Sequence, residues 1–164
     1  MPTRPLPPLA DLLPGTWRVV ATTFPMWLAP TGRTPRRLSP VFTYGLRSAD
    51  PLELDDTVSW FTRRGSERTL LGVDRPRGDG LRWRGTGLLS VLRSDWSVTG
   101  ASEGEDLIAI RFSRTLTSPP GVDVLVRDGT MIEDIREELA DEPHWLGLTD
   151  AEAEALVWLR DLPG

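Results

Sequence analysis

Cysteine and lysine are both absent from this 164-residue chain, and histidine and tyrosine occur once each. Without thiols there is no disulfide framework, no thiolate metal ligand and no cysteine nucleophile. Without lysine there is no Schiff-base chemistry and no phosphate-loop lysine. The single His144 leaves a zinc set dependent on carboxylates. It is also the one base available to a serine nucleophile, and no Gly-x-Ser-x-Gly elbow is present. No apolar run is long enough to cross a bilayer. The proline-rich start, MPTRPLPPLADLLPG, lacks the continuous apolar stretch of a secretory signal. A cytoplasmic protein with no cofactor, no metal and no catalytic residue to assign is the expectation.

What is present suits one globular domain. The chain is 39% hydrophobic and 26% charged, and its length supports a sizeable core. Charge is uneven: residues 1–127 hold 17 arginines and 13 acids, whereas 128–164 hold 2 arginines and 11 acids, for a net −5. That balance speaks against a nucleic-acid partner and for helices with solvated acidic faces near the end. We expect a Pro-rich leader over 1–11 and a single domain over 12–164, with a helical segment at 130–160.

Between them, short β-branched or apolar runs alternate with Gly, Pro and Asp breaks. Eight are legible: Thr16–Phe24, Val41–Leu46, Thr57–Arg63, Glu67–Val73, Leu81–Val91, Asp95–Thr99, Leu107–Arg114 and Val122–Arg127. Consecutive strands with short links predict an antiparallel meander. An open eight-stranded sheet would leave two unpaired edges; closure removes them and leaves an interior that is filled or holds one small ligand. The fold expected is therefore mainly β, an eight-stranded antiparallel up-and-down barrel, with an orthogonal sandwich as the alternative. Asp55-Asp56 and Asp74–Asp79 read as turn material beside strands. Thr130–Glu133 and Thr149–Glu152 are Thr-x-x-Glu capping boxes. Ile132, Ile135 and Leu139 follow the first at helical spacing, and Ala153, Leu156, Val157 and Arg160 follow the second, so two helices should pack outside the sheet.

Gly15-Thr16-Trp17 at the head of the first run, followed by this element order, resembles the lipocalins, or more broadly the calycins. Leu-Pro-Gly-Thr-Trp, Trp-Arg-Gly-Thr-Gly and Gly-Val-Asp-Val also resemble cytosolic lipocalin-like proteins of microbes. Ser94-Asp95-Trp96 is similar to the family's Thr-Asp-Tyr turn. The resemblance implies that Trp17 plugs the closed end beside a late arginine, Arg114 or Arg127. It also implies that the link after Pro25 crosses the open mouth, where Met26 and Trp27 would form a lid.

Seven tryptophans supply the unusual chemistry. Trp60, Trp83 and Trp96 fall on separate runs and, with Tyr44 and Met26, offer an aromatic wall for a small hydrophobic or amphipathic partner. Alternation sets Arg84 opposite Trp83, and Arg111 lies between Ile110 and Phe112. An inward Arg84 or Arg111 would anchor an acidic ligand. Three alternatives stand beside this binding reading. One is an isomerase or cyclase using Tyr44, Asp123 or an inward arginine, and another is a haem-binding calycin using His144. The third is a filled barrel with a structural role.

Overall fold

The computed structural model describes residues 4–29, 36–115, 119–131 and 134–159. A single helical turn, α1 (Leu9–Leu12), leads into β1 (Gly15–Thr22), and a long link returns as β2 (Leu38–Ala49). There follow β3 (Leu52–Phe61), β4 (Glu67–Arg77), β5 (Gly80–Gly85), β6 (Arg93–Ala101), β7 (Leu107–Phe112) and β8 (Gly121–Arg127). Each pairs antiparallel with the next. β1 bonds to β8 on one side and β2 on the other, so the eight strands close into an up-and-down barrel. The sandwich alternative is thereby excluded.

Two interiors follow from the period-two alternation of strands. Inside the barrel, Trp17, Val19, Phe42, Leu54, Val58 and Ile110 belong to one buried cluster. Outside it, Val20, Ala21, Val122, Val124 and Val126 face the C-terminal segment and form a second. A bulge in β1 between Val19 and Ala21 makes this possible. Val20 and Ala21 both face outward, and the residues after them change sides. Phe24, expected opposite Trp17, therefore joins the inner cluster with it.

The C-terminal segment forms α2 (Ile135–Asp141), a 3-10 turn (Pro143–Leu146), α3 (Asp150–Ala155) and a two-residue strand β9 (Val157–Trp158). Ile135, Leu139, Leu146 and Leu148 bury themselves on the outer valines. Thr149 and Glu152 form the reciprocal capping box, with bonds of 3.1 Å each way. Ile132, Glu133 and Arg160 lie outside the described residues, and α2 starts after Asp134. The second helix is shorter than its spacing predicts: it stops at Ala155, and Val157 and Trp158 pair with Thr22 and Ala21 instead. β2 covers only Gly15 to Arg18 of β1, so the far half of that edge is free for β9.

Three acidic positions also differ from expectation. Asp55-Asp56 and Asp74 are strand residues, not turn residues, because β3 begins at Leu52 and β4 runs to Arg77. The fifth run ends at Gly85, and a 3-10 turn (Gly87–Leu89) follows it.

Candidate functional site

The closed end is built from α1 and the first strand. Trp17 is fully buried, its Nε1 donates to Leu13 O at 2.9 Å, and the Arg127 guanidinium lies 4.2 Å from its ring centroid. Arg127 also donates to Pro14 O (3.0 Å) and Leu12 O (2.8 Å), tying the leader to β8. Gly15 has φ +131, which favours glycine, and a Cβ there would stand 2.6 Å from Arg127 Nη1, so the guanidinium would have to shift. Of the two candidate arginines the plug uses Arg127. Arg114 is exposed beyond the end of β7.

Toward the other end lies a cavity of about 800 Å³. Exposed Arg36 and Arg93 mark its mouth, and buried Phe42, Tyr44, Asp56 and Trp96 form its inner wall. Tyr44 stacks on Trp96 with centroids 5.6 Å apart, and on Phe42 at 6.0 Å. Phe24 and Phe112, themselves stacked at 4.4 Å, complete an aromatic side.

The expected ligand contacts divide. Met26, Tyr44, Trp83 and Trp96 all border the cavity. Trp27 does not form a lid: it is fully buried, edge-on to Phe42 and Trp60, and its Nε1 donates to Asp123 Oδ2 at 2.9 Å. Trp60 packs beside it and carries the Arg37 guanidinium 4.5 Å from its centroid, so it too stands off the cavity. Arg84 is exposed and donates to Ser90 O at 2.9 Å. Arg111 points to the outside of the barrel, where its guanidinium takes Glu152 in two bonds of 2.6 and 2.9 Å and Gly147 O at 3.1 Å. Both arginines leave the interior because strand alternation gives their neighbours, Trp83 and Phe112, the inward positions. Neither borders the cavity. His144 is likewise exposed, 3.5 Å from Asp150 Oδ1 on the C-terminal segment. Ser94-Asp95-Trp96 lies within β6, and Asp95 grips Arg82 at 2.6 and 3.0 Å.

The buried charged residues inside are acids. On β3, Leu54, Asp56, Val58 and Trp60 share the inward face. Asp56 is 3% exposed and Asp74 fully buried. Asp74 Oδ1 accepts from Trp96 Nε1 at 2.9 Å. Among the described residues, Asp56 Oδ1 and Asp74 Oδ2 meet no donor outside this pair of carboxyls, and the Trp83 indole N–H meets no acceptor. The two carboxyls contact each other, an attractive arrangement only with a proton between them. Burial, reinforced by Asp74, pushes Asp56 well above the carboxylate range. Burial lifts Asp74 to about 6, against the bonds from Asp56 and Trp96. Tyr44 is raised by burial and then by Asp56, Asp74 and Asp123. Asp123, lifted by burial to about 7, accepts from Thr22 Oγ1 and Trp27 Nε1.

Asp56 and Asp74 read as turn residues because the third run was started at Thr57 and the fourth was ended at Val73. The signal was there: an acid two residues from Leu54 and two from Val58 shares their face. Gly72, opposite Asp56 across the β3–β4 ladder, is the second sign. A Cβ at that position would collide with the Trp83 indole, so glycine allows the ring to lie against β4.

No family model and no curated protein matches the sequence. Solved structures do match. Lobster apocrustacyanin A1 has a TM-score of 0.61 over 94% of this chain and 79% of its own, at 8% identity. Siderocalin Ex-FABP has the same score over 93% and 95%, at 14% identity. H1 crustacyanin from the lobster Homarus americanus scores 0.59 over 100% and 81%, at 9% identity. At these identities the likeness is one of fold: the chain resembles the lipocalins in its closed barrel.

Proposed function

We propose that this protein binds a small amphipathic molecule inside the barrel. The observation that supports the reading is the cavity itself, about 800 Å³ between aromatic walls, in a fold whose interior could have been filled. Siderocalin Ex-FABP, one of the similar structures, is described as functioning through dual ligand specificities. The rim arginines Arg36 and Arg93 and the inner aromatics Tyr44 and Trp96 give the space a polar entrance and an apolar body.

Tryptophan fluorescence tests this directly, since Trp83 and Trp96 both border the space. Saturable changes with small aromatic guests, lost when Val58→Phe fills the wall, are expected. A flat response to every apolar guest would sink the binding reading and leave a barrel with a structural role.

A further inference from the structure

The character of the guest's polar end follows from the wall, and it rests on the binding reading above. An anionic head is disfavoured at the inner wall, where the charged group is an acid and the arginines stand only at the mouth. Asp56 borders the cavity and is 3% exposed, and among the described residues its Oδ1 and the Oδ2 of Asp74 behind it meet no donor outside the pair. Two carboxyls with one proton between them keep lone pairs that accept no bond, so the site favours a guest that brings N–H donors. The stacked rings of Tyr44 and Trp96 flank the same wall and offer an apolar surface beside the acid.

We propose that the cavity selects an organic amine, its ammonium group donating to the Asp56 carboxyl, with Asp74 behind it, and its apolar body lying against the Tyr44–Trp96 stack. An ammonium replaces the proton shared by the two carboxyls, so uptake of the cation releases a proton. The groups that face Asp56 are Tyr44 from β2, Asp74 from β4 and Trp83 from β5. Asp123 from β8 acts on the same cluster through Tyr44. No cation among the described residues lines the inner wall; Arg36, Arg37 and Arg93 stand at the mouth.

Three guests with one body separate the outcomes: naphthylethylamine, naphthylethanol and naphthylacetate, titrated calorimetrically into the full chain. The amine should bind at least about tenfold tighter than the alcohol, as a charge-assisted hydrogen bond implies. Naphthylacetate should bind weakest. Asp56→Asn should erase the amine's advantage and spare the alcohol. With the unaltered protein, lowering the pH from about 8 to about 5 should weaken the amine alone, because the carboxyl pair then takes up a second proton. That measurement serves where the variant folds poorly. Equal binding of all three, or a preference for the acetate, overturns the amine head while the barrel-binding reading stands. Failure of all three overturns both.

Discussion

Asp123 shows how one residue can be structural and sensitive to pH together. Its two oxygens accept from Thr22 Oγ1 (2.5 Å) and Trp27 Nε1 (2.9 Å), joining β1, the link after it and β8. Burial nevertheless raises its pKa to about 7, and Asp56 and Asp74 are raised with it. An unfolded aspartate titrates near about 4. Between that point and about 7 the folded state holds more protons, so stability falls as pH rises, and levels off above. Urea unfolding at about pH 5 and about pH 8 should show a loss on the order of a few kcal/mol at the higher value. A rise instead would mean these carboxyls are ionised in the fold. Asp56→Asn removes one acid and supplies an amide that can donate to Asp74. It should therefore flatten the slope and raise Tm at about pH 8.

At the scale of elements, α3 and β9 act as a strap over the barrel's outer face. Glu152 serves it twice, completing the cap of α3 and taking the guanidinium of Arg111 from β7. The pair is partly exposed, with side chains 39% and 23% accessible, so screening limits what the charges contribute. Glu152→Ala should cost about 1–2 kcal/mol, roughly one from the cap and the rest from the ion pair. Arg111→Ala should cost about 1 kcal/mol or less. Hydrogen exchange of the Leu159 amide, which bonds to Val20 O at 2.9 Å, should quicken in both variants. Unchanged protection would show that Leu146 and Leu148 hold the strap without the ion pair.

For the whole molecule, closure depends on a short contact, four residue pairs between β1 and β2, reinforced from below by the Trp17–Arg127 plug. Trp17→Ala should cost about 3–5 kcal/mol, a buried indole's loss with its cavity. Arg127→Ala leaves the Leu12 and Pro14 carbonyls without their donor and frees the leader from β8. Calorimetric Tm values should fall in both, more for Trp17. The opposite end tolerates change differently. Val58→Phe adds volume where space exists, so Tm should stay within a few degrees while guest affinity drops at least about tenfold.

The plug was legible because Gly-Thr-Trp is a local pattern, and the eight strands because breaks between them are written in Gly, Pro and Asp. The bulge at Val19–Ala21 was not, for a one-residue shift in pairing leaves no mark on composition. It decided that Phe24 turns inward. Trp27 gave no local sign of its hydrogen bond, whose partner Asp123 is ninety-six positions away. Arg111 met its carboxylate, but on the C-terminal helix and not in a guest. Sequence by itself determined a β-rich chain with an indole plug and one capped helix near its end, since propensity, alternation and capping act between near neighbours. Only tertiary structure decided that the interior holds aspartates while the arginines stay outside, because closing the barrel sets which strand faces share one enclosed space.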